Sequence, residues 1–307
     1  MLNSGNSSSY KALLRKTPTR ECQLSEKPVS EIIVDFRSRL FRYIRLVYTN
    51  RTQQDKARSI FRAIKELRLT GDVVGEKRRV FASALTVTRK ELKFIGPNCK
   101  HTYVFGSKEN CPLRQHKSSE NRLFELKKYM SLYAENMFDL RVLEQCAKAL
   151  ESYVISDLES ISTLYSGKEW ILGIGRYRVP GKDDMFESDR LCARLAKSGR
   201  GAAVLSEDFD NVMLFGADMM IKEIHANFFM YVSMRDTMAM LGSLSRADAI
   251  HRSCIMGTDY NKGLLGVGPV KAKKIDASEA KRLFHTCLDA QSINPAKLYE
   301  LFGVNVK

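Results

Sequence analysis

Short apolar runs with the length of β-strands alternate along this chain with segments whose apolar residues recur at helical spacing. The run at 31–35 ends in an acid and is followed by Phe36, Leu40 and Ile44 at helical spacing. Other strand-like runs lie at 101–105, 176–179, 202–205 and 219–224, and helical patterns lie at 53–69, 189–197, 246–256 and twice within 276–307. Such alternation is typical of an α/β domain whose helices flank a mainly parallel central sheet. We therefore predict the α/β fold class.

Three segments leave their local structure open. The N-terminal part has the pattern of a short helix around 10–16 or of a loose arm. The basic segment at 71–100 does not distinguish helix from strand, and 211–215 is a short apolar run. Periodicity alone cannot decide such short or strongly charged segments.

Acidic residues follow short apolar runs or open a predicted helix, and the last of them, Asp259, ends the run at 255–258. They are Asp35, Glu187, Asp189, Asp208, Asp210 and Asp259. In an open parallel sheet the ligand crevice lies outside the carboxyl ends of the strands. We therefore expect these carboxylates to meet at that edge of the sheet.

Each acid taken alone also has a simpler interpretation. Asp35 is placed to cap a helix, and Glu187 and Asp189 are favourable charges at a helix start. The pair at 208 and 210 fits a solvated turn. The joint placement of all six favours a shared site over six separate explanations.

Clustered carboxylates need a compensating cation, because like charges in close proximity raise one another's pKa. Mg²⁺ and Mn²⁺ prefer oxygen ligands and are the natural partners. Two such ions about 4 Å apart would stabilise both the attacking and the leaving oxygen of a phosphodiester displacement. The acids thus predict a site for two divalent ions.

Positive charge is concentrated in the first part of the chain. Residues 1–130 hold 28 basic and 12 acidic residues, a net charge of +16, whereas 131–307 hold 22 and 23, a net charge of −1. Scattered lysines usually belong to a solvated surface, but this excess is enough for a face that binds phosphates. Such contacts read the shape of a nucleic acid more than its sequence.

Several sequence features bear on the class of protein and its compartment. No run approaches the roughly 18 apolar residues of a membrane span, and the polar, basic start lacks the apolar segment of a secretory signal. The seven cysteines are scattered and never form Cys-x-x-Cys. These features predict an intracellular protein with reduced thiols and with nucleic acid, not membrane, as its partner.

A glycine-rich turn at 263–268 leads into a basic segment. Gly266 and Gly268 precede Lys271, Lys273 and Lys274. Backbone N–H groups at such a helix start can hold a phosphate. The turn lacks the Gly-Lys-Ser/Thr of a P-loop, so a nucleoside triphosphate site is not expected.

Two stretches resemble the flap-endonuclease family of structure-specific 5′ nucleases. They are FESDRLCARLAKSGRGAAVLSEDFDNVMLFG at 186–216 and CIMGTDYNKGLLGVGPVKAKKI at 254–275. The first is similar to the family's acidic helix start and its Ser-Glu-Asp-x-Asp turn. The second is similar to the family's Gly-x-Asp-Tyr acid and the helix-two-turn-helix DNA-binding element after it. Weaker similarity covers 32–40 and 103–115.

The resemblance implies a 5′-nuclease/PIN-like fold. It implies an N-terminal arm at 1–30, a nuclease core at 31–260 with a helical arch at about 107–150, and a helix-two-turn-helix element with a short tail at 261–307.

The resemblance also implies roles for individual residues. The six acids would hold two Mg²⁺ ions that activate a water for phosphodiester hydrolysis. Arch residues near Lys108, Arg114, Lys117 and Arg122 would thread or clamp a single-stranded 5′ end. The turn with Gly266 and Gly268, with the three lysines that follow, would grip the duplex backbone, often with a bound K⁺ in relatives.

The chain departs from the family pattern at three points. Gly106 stands where the family has a metal-coordinating Asp, although Glu109 is close by in sequence. An N-terminal extension displaces the usual Met-Gly start, and no sliding-clamp motif is visible after 275. Such divergence is expected of a viral or otherwise fast-evolving member of the family. We also expect the protein to act as a monomer.

The leading hypothesis is a Mg²⁺-dependent endonuclease or 5′-exonuclease that acts on flapped or branched DNA in replication, recombination or repair. Its predicted location is the nucleus, or the host nucleus for a viral protein. One alternative is an RNA endonuclease of the viral host-shutoff type. Another is a non-catalytic nucleic-acid-binding relative, motivated by Gly106. Retention of six acids opposes the second alternative, since a protein without catalysis has no reason to keep like charges clustered.

Overall fold

The computed structural model describes residues 8–26, 29–44, 46, 52–104, 119–136, 139–154, 176–178, 188–199 and 201–304. The strands are β1 (Arg20–Gln23), β2 (Glu31–Asp35), β3 (Lys100–Val104), β4 (Arg176–Arg178), β5 (Ala202–Leu205), β6 (Met219–Ile224) and β7 (Phe228–Ser233). The helices before β4 are α1 (Ser8–Leu14), α2 (Phe36–Ile44), α3 (Gln53–Thr70), α4 (Val74–Leu92), α5 (Ser119–Glu135) and α6 (Leu140–Val154). Those after β4 are α7 (Ser188–Ser198), α8 (Asp210–Met213), α9 (Met234–Met240), α10 (Arg246–Met256), α11 (Pro269–Lys274), α12 (Ala277–Asp289) and α13 (Pro295–Phe302).

The described strands form one sheet in the order β1-β7-β6-β5-β2-β3-β4. The five strands from β6 to β4 pair in parallel. Strands β7 and β1 extend the sheet with antiparallel pairs. The prediction of a mainly parallel sheet flanked by helices is confirmed.

Both faces of the sheet are covered, because successive side chains of a strand point to opposite sides. In β2, Ile32 and Val34 enter one hydrophobic core and Ile33 enters the other. Leu205 and Val204 in β5 divide in the same way. The first core also contains side chains of α2 to α6, and the second contains side chains of α1, α7, α8 and α10 to α13. The strand ends are thus held between two packed layers.

The basic segment that the pattern left open forms helix α4. Its buried residues follow helical spacing and are Glu76, Lys77, Val80, Phe81, Ala84, Leu85, Thr88 and Leu92. The Phe81 ring packs 4.9 Å from the ring of Phe36 at the start of α2. Because many charged residues lie on the other face of α4, its apolar stripe is hard to recognise from composition alone.

The chain after β5 differs in two details from the pattern. The run at 211–215 is not a strand. Its first residues belong to the short helix α8, whose four residues are all buried. Strand β7 was not anticipated, and it pairs with β6 and β1 in antiparallel register. An antiparallel partner needs only a tight turn, so no helical segment separates β6 from β7.

The N-terminal residues include an ordered helix and a strand of the sheet. Tyr10, Leu13 and Leu14 of α1 are buried in the second core. Cys22 in β1 lies opposite Phe229 in β7. Of the two readings for the N-terminal segment, the helix is correct. Helix α1 packs in the second core and β1 pairs with β7, whereas the resemblance implied a separate arm at 1–30. The burial of apolar α1 side chains is the physical reason.

The range predicted for the arch contains two helices that pack on each other, α5 and α6. Leu126 and Met130 of α5 and Leu143 and Cys146 of α6 belong to the first core. Residues 105–118 lie outside the described residues. The bounds of the arch and of the C-terminal element therefore stay predictions.

None of the described helices combines the length and the hydropathy needed to cross a bilayer. The cysteines that the structure describes are buried free thiols: Cys22, Cys99, Cys146, Cys192, Cys254 and Cys287.

His251 makes folding stability depend on pH. It is buried in α10, where its Nε2 lies 2.7 Å from Tyr299 Oη, and burial lowers its pKa to about 4. The unfolded chain takes up this proton near pH 6.5, so the folded state loses stability as pH falls through that range toward 4. Between about pH 7 and pH 5 we expect the free energy of unfolding to fall by about 1–2 kcal/mol on this account.

Urea denaturation of the wild type and of His251→Gln at both pH values measures this contribution. The His251→Gln variant should show a smaller fall, whereas His225→Gln, at an exposed site, should behave as the wild type. An equal pH dependence in wild type and His251→Gln would contradict the assignment.

Candidate functional site

Asp35 is held at the carboxyl end of β2 by hydrogen bonds from both sides. Its side chain is 1% exposed. Oδ1 accepts from the backbone N–H of Ser38 at 3.2 Å, and Oδ2 accepts from Ser206 Oγ at 2.7 Å. Burial raises the pKa of Asp35, and the bonds from Ser206 and Ser38 oppose that rise. The capping interpretation is thus correct for one oxygen, while the other faces the turn after β5.

The turn after β5 places two acids through its own hydrogen bonds. The backbone N–H of Asp208 donates to Ser206 Oγ at 3.0 Å, and the N–H of Asp210 donates to Asp208 Oδ1 at 3.1 Å. Phe209 between them is buried in the second core. An Asp side chain that accepts from the backbone two residues on stabilises a tight turn. Asp208 therefore shapes the turn that buries Asp210.

Asn211 links acids from three parts of the chain. Its Nδ2 lies 3.5 Å from Asp35 Oδ2 and 3.4 Å from Asp189 Oδ1, and it also reaches the backbone oxygen of Asp208 at 3.2 Å. The Asn211 side chain is fully buried. One amide group thereby donates hydrogen bonds to two carboxylates. Nothing in the sequence singles out Asn211, because an Asn in an acidic turn has no distinctive spacing.

Asp189 lies in the first turn of α7 and is largely buried. Cys192, one turn later, is fully buried, and burial together with the charges of Asp35 and Asp189 raises its pKa well above the ordinary value. Cys192 is therefore a neutral packing residue beside the acids. A thiol nucleophile would need the opposite shift.

Asp259 is presented by a tight loop after α10. Thr258 and Asn261 pair across the loop, and Asn261 Nδ2 donates to the Cys254 oxygen at 2.7 Å. Gly257 has a φ of 96° and packs directly against Gly263. A Cβ on Gly263 would lie 2.4 Å from the Met256 oxygen. The two glycines let the chain turn back closely enough to point Asp259 at the cluster.

Lys11 of α1 stands among the last three acids. Its Nζ lies 2.9 Å from Asp259 Oδ2, 3.1 Å from Asp210 Oδ2 and 3.6 Å from Asp208 Oδ2. Burial by itself would lower the pKa of Lys11, but the facing carboxylates, Asp210 first, raise it well above its ordinary value. Lys11 is therefore a permanent cation. The sequence contained no signal for it, since nothing local relates a helical lysine to distant acids.

Asp210 is the most deeply placed acid beside Lys11. Its side chain is 1% exposed, and Tyr10 Oη donates to its Oδ1 at 3.3 Å. Burial raises the pKa of Asp210, with Lys11 opposing the rise and Asp208 adding to it. One ammonium group thus compensates only part of the charge of these neighbouring carboxylates.

A cleft of about 440 Å³ opens on this cluster. It is lined by acids and by cations: Asp35, Asp189 and Asp208, with Arg15, Arg37 and Lys222. A surface of this kind can hold a cation and a phosphate side by side.

The structure brings five of the six predicted acids together, Asp35, Asp189, Asp208, Asp210 and Asp259. Glu187 lies outside the described residues, as do Gly106 and Glu109. The predicted arch residues Lys108, Arg114 and Lys117 also lie outside them, and Arg122 is half-buried on α5.

The acids suit a divalent cation by their chemistry. Carboxylate oxygens are the ligands of Mg²⁺ and Mn²⁺, and the buried charge exceeds what Lys11 supplies. Asn211 Oδ1 is buried and has no hydrogen-bond partner within the described ranges. In those same ranges, however, no three acids, histidines or cysteines are close enough together to hold one ion. The donor set fits the predicted metal, while its present arrangement surrounds an ammonium group.

The predicted DNA-binding element at 261–307 begins with a glycine turn and continues in α11, α12 and α13. Lys271, Lys273 and Lys274 of α11 are exposed, and Gly266 in the turn has a φ of 75°. Gly268 precedes α11, and no atom would lie within 4 Å of a Cβ there.

A hydrogen bond from Arg252, which is itself paired with Asp248 within α10, fixes α11 to α10. Asp248 and Arg252 pair at 2.9 Å, and Arg252 Nη1 donates to the Ala272 oxygen at 2.5 Å. The lysines are thus carried on an anchored helix.

The sequence profile of the XPG I-region matches residues 179–259. That range holds Glu187, Asp189, Asp208, Asp210 and Asp259. The chain therefore carries an XPG I-region and is similar in sequence to flap endonucleases.

Relatives of this family match parts of the chain. Flap endonuclease 1 of Methanococcus aeolicus is 33% identical over 100 residues, which are 32% of this chain and 30% of that relative. Flap endonuclease 1 of Methanosphaerula palustris is 26% identical over 215 residues, which are 66% of this chain and 61% of that relative. The chain therefore spans less than two thirds of the length of either relative.

The fold is also similar to that of a solved structure. The crystal structure of human GEN1 in complex with Holliday junction DNA has a TM-score of 0.51 and is 16% identical, over 100% of this chain and 68% of that chain. This similarity confirms the predicted fold.

Substituting Gly263 should disturb the loop that presents Asp259. A Cβ there would meet the backbone of Met256 and Gly257, which cannot move aside as a side chain can. We expect Gly263→Ala to lower the free energy of unfolding by roughly 1–3 kcal/mol or more. Thermal denaturation measures this loss. Gly268→Ala is the matched control, because its Cβ meets open space at a φ of −102°. Equal melting temperatures for the two variants would contradict the close packing of the loop.

Proposed function

We propose that this protein is a metal-dependent, structure-specific 5′ nuclease that hydrolyses phosphodiesters of flapped or branched DNA. The observation that carries this proposal is the convergence of five carboxylates from β2, α7, the turn after β5 and the loop after α10. Asp35, Asp208 and Asp210 lie at the carboxyl ends of the parallel strands β2 and β5, where the crevice of such a sheet is expected. Similarity to flap endonucleases supports the same reaction class.

Six residues would hold the metal: Asp35, Asp189, Asp208, Asp210 and Asp259, with Glu187. When bound, a pair of divalent ions supplies an activated water and charge stabilisation for the attacking and leaving oxygens. Mg²⁺ or Mn²⁺ are the proposed cofactors, and the K⁺ predicted at the glycine turn has no further support.

Neighbouring residues of this chain would support the acids and the substrate. Ser206 and Asn211 orient the carboxylates through the hydrogen bonds described above, which keeps the acids in place while the substrate enters. Arg15, Arg37 and Lys222 line the same cleft and would attract the negatively charged backbone. Contacts of this type recognise the shape of a nucleic acid more than its base sequence.

The names and titles of the relatives favour branched DNA as the substrate class of this chain. Two relatives carry the name flap endonuclease 1, another is a DNA repair protein, and GEN1 was solved with Holliday junction DNA. We therefore propose a role in replication, recombination or repair. Because such a role requires access to DNA, we propose that the protein acts inside the cell, in the nucleus.

Removing two acids tests the nuclease proposal. We expect Asp208→Asn/Asp210→Asn to reduce the cleavage rate at least ~100-fold, because lost charge stabilisation is worth about 3 kcal/mol or more. The purified chain is incubated with Mg²⁺ or Mn²⁺ and labelled 5′-flap DNA, single-stranded DNA, duplex DNA and single-stranded RNA. Asp289→Asn, an exposed acid at the end of α12, is the matched control and should cleave as the wild type does.

The outcomes separate the alternative functions. A wild type that binds flaps but cleaves no substrate with either ion would overturn the nuclease proposal in favour of a binding protein. Cleavage of RNA alone would favour the RNA endonuclease. Cleavage of flap DNA that survives the double substitution would show that the acids are not the reaction centre.

The exposed lysines of α11 provide a second test. We expect Lys271→Ala/Lys273→Ala to weaken binding to duplex-containing DNA and to reduce the slope of log affinity against log salt by up to about 2. Fluorescence anisotropy over a range of salt concentrations measures both effects. Lys281→Ala/Lys297→Ala removes two exposed lysines from later helices and should change binding less. Equal losses for both pairs would mean that α11 has no special role.

A further inference from the structure

Lys11 occupies the part of the site where three proposed metal ligands meet. Its Nζ lies 2.9 to 3.6 Å from carboxylate oxygens of Asp208, Asp210 and Asp259. These three acids come from two separate segments of the chain. An ammonium at such distances attracts all three carboxylates and compensates part of their charge, as a small cation would.

The ammonium is held there by the packing of α1. Tyr10 is fully buried beside it and donates to Asp210 Oδ1 at 3.3 Å. Leu13 and Leu14 anchor the helix in the second core, and the Lys11 side chain is only 21% exposed. A lysine on an unanchored surface helix would instead extend into water.

The other acids form a separate half of the site. Asp35 and Asp189 are bridged by Asn211 and line the cleft together with Asp208. Lys11 makes its described ion pairs with Asp208, Asp210 and Asp259. Asp208 therefore pairs with Lys11 and also lines the cleft, as Lys11 itself does.

Competition for the same oxygens follows from this arrangement. A divalent ion bound by Asp210 and Asp259 needs the carboxylate oxygens that now face Nζ. Two cations cannot share that space, because they would repel each other at short range. The stem of lysine is long and flexible, so the ammonium can leave without unfolding α1.

We infer that Lys11 is a resident cation that occupies one of the two proposed metal positions. This chain would then bind a first divalent ion through Asp35, Asp189 and Asp208 without displacing Lys11. It binds a second ion, at the Asp210 and Asp259 side, only by displacing the Lys11 ammonium. The inference rests on the proposed function, because it concerns the same acids, but it makes a separate statement about how many ions bind and how tightly.

Metal titration of the full chain tests the inference without measuring cleavage. Isothermal titration calorimetry and the electron paramagnetic resonance of free Mn²⁺ give stoichiometry and affinity for the metal-free protein. In Lys11→Met, which keeps an apolar stem of similar length, the second Mn²⁺ should bind at least ~10-fold more tightly than in the wild type. Lys11→Arg, which keeps the charge, should resemble the wild type. Lys16→Met, at an exposed position, is the control.

Thermal denaturation distinguishes competition from a purely structural role. Without metal, Lys11→Met should melt below the wild type, because three carboxylates lose their counter-ion. Saturating Mn²⁺ should raise its melting temperature by more than it raises that of the wild type. A residue that only packs would lower the melting temperature without changing Mn²⁺ affinity. If Lys11→Met is not folded, Lys11→Gln replaces it in both measurements.

Each outcome of the Mn²⁺ titration either supports or overturns the inference. Equal Mn²⁺ stoichiometry and affinity in the wild type and the uncharged variant would overturn the inference and leave the nuclease proposal standing. Binding of the second ion in the uncharged variant alone would support the inference in its strongest form. If neither protein binds Mn²⁺, the inference and the proposed metal-dependent function both fail.

Discussion

Mutual repulsion among carboxylates is the constraint on which this structure depends. Asp35 and Asp210 are almost fully buried, and burial raises the pKa of both. Hydrogen bonds from Ser206 and Asn211 and the charge of Lys11 offset part of that cost. A bound cation would compensate the remaining negative charge of these carboxylates. A fold that keeps such groups together must be stabilised elsewhere.

That stabilisation comes from the two hydrophobic cores on the faces of the parallel sheet. Alternating side chains of β2, β5 and β6 enter both cores, so the strand ends cannot separate without exposing apolar surface on both sides. The acids lie just beyond these ends. The sheet therefore fixes their positions, and the local turns fix their orientation.

Helix α1 connects the acid cluster to the proposed DNA-binding element. It packs against α9, α10 and α11, while Tyr10 and Lys11 contact the acids. Asp259 leaves the end of α10, and the exposed lysines lie on α11. A substrate bound to α11 would therefore contact a helix that packs on α1. Helix α1 in turn contributes Tyr10 and Lys11 to the acid cluster. This arrangement gives the N-terminal segment a part in the site that a loose arm could not have.

Local periodicity was a reliable guide where an element has a clear apolar stripe. The pattern placed α3, α7 and α10 within one residue or so of their observed ends, and β2 and β5 with their observed bounds. It left α4 undecided, because the buried face of that helix is hidden among charges, and it did not anticipate β7, whose antiparallel pairing is a property of the sheet. It also left α8 undecided, because its buried residues belong to a short apolar run.

The sequence by itself predicted which carboxylates belong together, because most of them follow a strand or open a helix and the ends of parallel strands share one edge. Asp259 is the exception, since it follows helix α10. Family resemblance in the same stretches pointed to the same residues. Only the tertiary structure decided that Lys11 stands among them and that Asn211 joins Asp35 to Asp189. Lys11 and Asp259 lie 248 positions apart. Contacts at that separation depend on how helices pack, and no local pattern records them.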